Sequence, residues 1–299
     1  MQTTLPNGSN AAEQGTGTVN GRISHNVYRW EFDSVQQAVE DALTDYAQND
    51  YNAKEIRTGM ERALSGYSEW GHNFTRSSFL EQLDNPDKGL LDAVSTMKDK
   101  LQALVQDHLK LPNTPRRRIQ RRLDQGDEID LDRYTRRELQ CWEQVKRIPT
   151  PRKVITIACN VSVNADKRPQ DLLWRGAAAI ALADLLVERG YSVGIVLFKC
   201  HADPTDAVAY GVVKYTLKLS SMPMDVSAIT FAMAEIAFAR IVGVYGTTRH
   251  WPGKVHFGFG RSVNLPDEDA ALVDCLIEQD VLTQDAAVEA VRAEIEKFE

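Results

Sequence analysis

The stretch Lys153–Phe198, KVITIACNVSVNADKRPQDLLWRGAAAIALADLLVERGYSVGIVLF, constrains the fold more than any other part of the chain. Val154–Asn160 is a short, nearly continuous apolar run, as expected of a strand buried on both faces of a parallel sheet. Pro169–Arg189 carries Leu172, Leu173, Gly176, Ala177, Ile180 and Leu185 inward at helical spacing, with Gly176 and the alanines small enough to let the helix backbone sit close to the sheet. Gly190 suits the left-handed stop of that helix, and Tyr191–Phe198 reads as the next strand. Strand, helix and strand in this order make a βαβ unit with a right-handed crossover.

The rest of the second half extends this unit. In Ala207–Leu219, Lys214, Thr216 and Lys218 share one face and Val213, Tyr215, Leu217 and Leu219 the other. Lysines on one face and a short preceding loop predict an antiparallel edge strand. Met224–Arg240 reads as a helix, residues 241–250 as either a strand or the tail of that helix, and Val255–Val263 as a strand. Helices over Asp267–Gln279 and Thr283–Phe298 end the chain.

The first half reads differently. Residues 1–26 are polar and suggest a mobile tail. Residues 27–111 read as a helical region, with a helix capped by Asp33 or Ser34, a second over Ala53–Leu64, and a third striped by Leu90, Leu91, Val94, Met97, Leu101, Leu104 and Val105. A charged connector over 112–151 ends in Pro149 and Pro151, which places a boundary before an α/β domain at 152–299. The expected fold is α/β, with a Rossmann-like mostly parallel sheet and one antiparallel edge strand, preceded by the helical region.

Charge and cysteine usage narrow the function. A net charge of −7 over 299 residues argues against general binding of nucleic acid or anionic membrane by the whole surface. No run of about 18 apolar residues predicts a membrane span. Cys141, Cys159, Cys200 and Cys275 are scattered without a Cys-x-x-Cys pair, which suits a reducing cytoplasm. Gly-x-Ser-x-Gly, His-Glu-x-x-His and phosphate-loop motifs are absent from the sequence.

The first strand of the βαβ unit runs into Asn160-Val161-Ser162-Val163-Asn164. This Asn-x-Ser-x-Asn pattern stands where a von Willebrand A (vWA) domain carries Asp-x-Ser-x-Ser, and the order of elements over 152–299 resembles that fold. The preceding GDEIDLDRY is similar to the linker before the vWA domain of cobaltochelatase-type subunits, which partner AAA+ ATPases of the MoxR type. RGAAAIALADLLVERGYSV and PMDVSAITFAMAEIAFARI resemble more closely an uncharacterised family of tailed-phage proteins with a vWA-like C-terminal half.

The resemblance implies a degenerate metal site (MIDAS), a protein partner such as an AAA+ ATPase, and the host cytoplasm for a phage-encoded chain. In an intact site, Asp and Ser or Thr oxygens hold Mg²⁺. Here Asn160 takes the Asp position, Ser162 matches the first Ser and Asn164 replaces the second, so the motif brings no charge to a divalent ion. Asp166 and Asp203 are the nearby acids that could restore one. The expectation is therefore no cofactor, with Mg²⁺ as the ion to test. The same loop, with Lys167 and Arg168, could instead meet a small anion at the start of the following helix.

Outside the loop, Arg116, Arg117, Arg118, Arg121 and Arg122 form the strongest basic cluster. On a helix Arg118, Arg121 and Arg122 would share a face suited to phosphates or an acidic partner, although no aromatics interleave for base stacking. Asp124, Asp127, Glu128, Asp130 and Asp132 read as charges that neutralise this cluster and start a helix, not as a calcium loop. Cys200, His201 and Asp203 lack the geometry of a nucleophilic pair. Trp251 is expected to pack, His250 to lie in a surface loop, His256 to lie near a strand opening, and Trp70-Gly71-His72 to be structural. The function expected is non-enzymatic protein binding through the 160–168 loop. The alternatives are nucleic-acid binding through the arginines and a ligand-binding enzyme at the strand ends.

Overall fold

The computed structural model describes residues 13–19, 22–43, 50–108, 117–123, 125–126, 128–138, 140–147, 154–164, 166–202, 209–218, 225–251 and 261–296. The first elements are β1 (Glu13–Val19), β2 (Arg22–Phe32), α1 (Val35–Ala42), α2 (Asp50–Ala63), a 3-10 turn at Glu69–Gly71, α3 (Arg76–Asp84) and α4 (Lys88–His108). A small separate sheet follows from β3 (Arg117–Leu123), β4 (Glu128–Ile129) and β5 (Trp142–Arg147), with α5 (Leu131–Thr135) between the last two. The βαβ unit is β6 (Val154–Asn160), α6 (Pro169–Glu188) and β7 (Ser192–Ala202). After β8 (Ala209–Lys218) come α7 (Val226–Ala234), α8 (Ile236–Phe238), a π-helical stretch at Ala239–Tyr245 and α9 (Gly246–His250). The order closes with β9 (Arg261–Ser262), α10 (Asp267–Ala270), β10 (Cys275–Ile277) and α11 (Gln284–Glu296).

The main sheet runs β1-β2-β8-β7-β6-β10, with β9 paired to the end of β7. Its centre is parallel: β6 pairs β7 from Val154↔Ser192 to Asn160↔Phe198, and β10 joins β6 through Cys275↔Ile157. β8 runs antiparallel to β7, as the sequence predicts. The result is α/β and Rossmann-like. β8 is not the edge, because β2 pairs parallel to it from Asn26↔Ala209 to Phe32↔Tyr215 and β1 continues antiparallel beyond. Lys214, which reads as an edge marker, reaches Glu31 of β2 at 3.1 Å.

The N-terminal segment therefore departs from expectation. The tail expected over 1–26 includes β1 and the start of β2, and the helical region over 27–111 includes the rest of β2. Residues 1–12 lie outside the described set, as do most of the Val255–Val263 strand and Phe298. The helix expected over Asp267–Gln279 is four residues of α10, then β10 on the sheet edge. Met224–Arg240 breaks at Glu235, which is extended (φ −93, ψ 120) and accepts from Ala237 N at 2.9 Å to start α8. Residues 241–250 are helical, in the π stretch and α9. Among the described residues no single helix is long and apolar enough to cross a membrane.

On one face α6 packs on β6 and β7, α1 on β8 and α11 on β10, with α4 and α7 packed against α6. The α4 stripe is buried at Leu90, Val94, Met97, Leu101 and Leu104. Gly176 does allow a close approach, but the neighbour is α7, not the sheet: a Cβ there would stand 2.1 Å from Met233 O and 2.8 Å from Ala234 Cα. Gly190 (φ +84) ends α6, with Gly190 N donating to Val187 O at 2.9 Å and Tyr191 N to Leu186 O at 3.0 Å. The other face holds a smaller cluster of Val27, Ala158, Val196, Phe198, Cys200, Val212 and Leu265.

Trp70-Gly71-His72 is structural, as expected. His72 Nδ1 meets the buried Glu235 carboxylate at 2.8 Å, and this hydrogen bond raises the His72 pKa above 6.5. A histidine whose folded pKa is raised stabilises the fold fully below the unfolded value and loses that contribution as pH rises through the folded one. Urea unfolding is therefore expected to show stability falling as pH rises above 6.5, by about 0.5–1 kcal/mol once solvent screening of the half-exposed ring is allowed for. His72→Gln should flatten that step; an unchanged slope would mean the pair does not hold in solution.

Candidate functional site

β6 delivers the Asn160–Arg168 loop to the C-terminal end of the parallel strands, where open α/β sheets bind ligands. The loop stays on the sheet at first, with Val161 N donating to Phe198 O at 2.8 Å. Its motif side chains then turn inward. Asn160 Oδ1 accepts from Ser162 N at 3.0 Å and from Ser162 Oγ. Asn160 Nδ2 donates to Glu278 Oε2 at 2.7 Å and Val263 O at 3.1 Å. Ser162 Oγ accepts from Cys200 N at 2.6 Å, and Asn164 Oδ1 from Ser262 N at 2.9 Å. The loop is thus stitched to β7, to the 262–265 segment and to the residue after β10.

Two side chains that no motif announces complete this arrangement. Glu278 accepts from Leu265 N at 2.9 Å and Gln279 N at 3.1 Å as well as from Asn160. Burial nevertheless raises its pKa, and those hydrogen bonds work against the rise. Arg175, in the middle of the apolar α6, places Nη1 2.6 Å from Asn160 O and 3.2 Å from Ser162 O. Farther along the loop, Arg240 of the π stretch donates Nη2 to Lys167 O at 2.7 Å and Nη1 to Trp70 O at 3.1 Å. π turns inside helices often mark functional positions, because the extra residue re-aims a side chain. The signal that could have found Arg175, and Lys199 of β7, is a single cation inside an otherwise apolar run, as in LLWRGAAAIALA and GIVLFKCHA.

The outer loop is different. Asp166 and Arg168 are exposed, and Lys167 is half-buried with its Nζ 3.9 Å from Asp166. Arg168 N donates to Asp171 Oδ2 at 2.9 Å at the start of α6. Asp203 lies outside the described residues. Among the described residues no three His, Cys, Asp or Glu side chains converge in a metal-binding group.

The remaining candidates separate. Arg116 lies outside the described residues, and Arg117, Arg118, Arg121 and Arg122 fall on β3, not a helix. A strand cannot place 118, 121 and 122 on one face as a helix would. The register instead sets Arg117 opposite Arg147 and Arg118 opposite Lys146. Asp130 caps α5 by accepting from Arg133 N at 3.3 Å, in keeping with helix-start charges; Asp124 and Asp127 lie outside the described residues. Cys200 and His201 point to opposite faces of β7, and burial pushes the Cys200 thiol well up and the His201 imidazole well down. Trp251 is buried as expected. His250 is also buried, not in a surface loop, because α9 turns it inward to Asp41 Oδ2 at 2.8 Å. His256 lies outside the described residues. A cavity of about 230 Å³ opens on the opposite face beside Val196, Phe198, Val212 and the Arg29–Asp269 ion pair, and no residue of the 160–168 loop lines it.

Fold and site together define an α/β protein of Rossmann-like architecture whose strand-end loop is closed by its own hydrogen bonds over a buried arginine. The chain belongs to the family described as Domain of unknown function (DUF7192), which matches residues 10–298. No curated protein and no solved structure matches it.

Proposed function

We propose that the chain is a metal-independent protein-binding adaptor, a vWA-like module that docks a partner through the rim of the 160–168 loop. The observation that carries this reading is the internal use of the motif oxygens. Asn160 Oδ1, Ser162 Oγ and Asn164 Oδ1 each already accept from the protein itself. A hard divalent cation needs oxygen ligands with negative charge, and the motif side chains offer neutral oxygens, while the adjoining Glu278 carboxylate is engaged by Asn160, Leu265 N and Gln279 N. These residues do not fit Mg²⁺. The same bonds anchor residues 160–164, and a preorganised base costs less entropy when the rim docks. Asp166 and Arg168 offer both signs of charge at its exposed rim. A phage-encoded chain working in the host cytoplasm beside an AAA+ ATPase would suit this role, on the strength of the sequence resemblance.

A second reading has one observation in its favour. The β3–β5 ribbon aligns Arg117 with Arg147 and Arg118 with Lys146, a concentration of basic residues on adjacent strands that suits phosphate contact. Cross-linked capture of the tagged chain from its native cells separates the two. The adaptor reading expects one enriched protein that is lost in the charge-reversed double variant Asp166→Lys, Arg168→Glu, whose stability should change by no more than about 0.5 kcal/mol. Undiminished recovery with that variant, or recovery of nucleic acid alone that disappears when the four β3 arginines are replaced, would remove it.

A further inference from the structure

The floor beneath the 160–168 loop holds cations from two elements without partners for all their donors. Arg175 is 0% exposed; Nη1 serves the carbonyls of Asn160 and Ser162, while Nε and Nη2 have no hydrogen-bond partner. Lys199 of β7 is 1% exposed, and its Nζ also has none. Among the described residues no carboxylate forms an ion pair with either. The two belong to one neighbourhood, since Cys200 N, next to Lys199, donates to the Ser162 hydroxyl whose carbonyl Arg175 holds. Gly243 of the π stretch leaves room for the lysine stem: a Cβ there would stand 3.2 Å from Lys199 Cγ and 3.5 Å from Cε. Three residues earlier in that stretch, Arg240 brings a third positive charge to the same loop through Lys167 O.

Buried cations persist when an opposite charge and hydrogen-bond acceptors meet them, and unmet buried donors point to a water or an ion. Glu278, Asp280 and Asp171 act on Arg175 without pairing with it, and unmet donors on two cations make an anion a better answer than a water. We propose that Arg175 and Lys199 wall an internal binding site for a small inorganic oxyanion of the phosphate class, enclosed beneath the strand-end loop. The proposal goes beyond the docking role and does not depend on it. A tetrahedral oxyanion would offer acceptors to Lys199 Nζ and to the free edge of the Arg175 guanidinium at once. Burial, followed by the like charges of Arg175 and Arg240, pushes Lys199 down to about 8, which leaves it protonated at neutral pH. An anion held here would fix the loop from below without touching its exposed rim.

The test is thermal unfolding of the full chain at pH 7 in sodium phosphate and in sodium chloride at matched ionic strength, for wild type, Lys199→Met and the exposed-lysine control Lys54→Met. Phosphate is expected to raise the wild-type Tm by roughly 5 °C over chloride. Lys54→Met should keep that increment. Lys199→Met should lose it while melting higher than wild type in chloride, because a buried charge without its counter-ion has been removed. Equal wild-type Tm in the two salts would overturn the site whatever the variants do. An increment retained in Lys199→Met would be the general stabilising effect of phosphate as an excluded salt and would also overturn the site.

Discussion

Asn160→Asp, the change that restores the acid of the metal motif, is expected to lower the unfolding free energy by about 3 kcal/mol at pH 7. Asn160 Nδ2 donates to Glu278 Oε2 at 2.7 Å and to Val263 O at 3.1 Å. An aspartate would set an acceptor against two acceptors, and two carboxylates at that distance cannot both ionise. Burial already raises the Glu278 pKa, so the new pair should share a proton and recover part of the loss by pH 5. Urea unfolding at the two pH values checks this. Wild-type stability at pH 7 would mean that the network is not formed in solution. Recovery of stability on adding magnesium would overturn the metal-independent reading, since the substituted loop would then hold an ion.

Gly176→Ala is expected to cost about 3 kcal/mol or more, a large effect for a single added methyl. The obstructing atoms are backbone, with Met233 O at 2.1 Å and its carbonyl carbon at 2.4 Å from the new Cβ. Rotamer changes cannot relieve that contact; α7 would have to move off α6. The same helix carries Arg175, so a shift should also loosen its hold on Asn160 O and Ser162 O. Denaturant unfolding gives the stability, and hydrogen exchange at Val161 and Ser162 reports whether the loop opens with it. A loss below about 1 kcal/mol would show that the two backbones are not packed this tightly.

Where the fold was legible in sequence, local chemistry decided it. The β6–α6–β7 unit follows from an apolar strand, a small-residue helix and Gly190, which adopts the left-handed conformation its position asks for (φ +84). Ser34 caps α1 and the α4 stripe is buried at Leu90, Val94, Met97, Leu101 and Leu104, though not at the exposed Leu91, because caps and helical periodicity act within a turn or two. β2 was not legible. Tyr28, Trp30 and Phe32 alternate over only its last few residues, and the strand exists because β8, far along the chain, pairs with it. β10 is three residues long and reads as helix for the same reason: its pairing with β6 is not local. At the site, the motif located the loop and its missing charge. It could not locate Arg175, Lys199 or Glu278, whose roles come from three separate elements meeting in space.

The parallel pairing of Asn26 with Ala209 through Phe32 with Tyr215 sets an order of events during synthesis. β2 is made well before the strand it must join, which is completed only after Lys218 has been added. At ordinary elongation rates of about 5–20 residues per second, that interval is on the order of ten to forty seconds. Throughout it, the Tyr28–Trp30–Phe32 face has no β8 to pair with, although α4 is complete long before β8. The nascent chain must therefore carry an aromatic strand unpaired past every element of the small β3–β5 sheet before the main sheet can close, a long interval in which a nascent-chain chaperone could act on it.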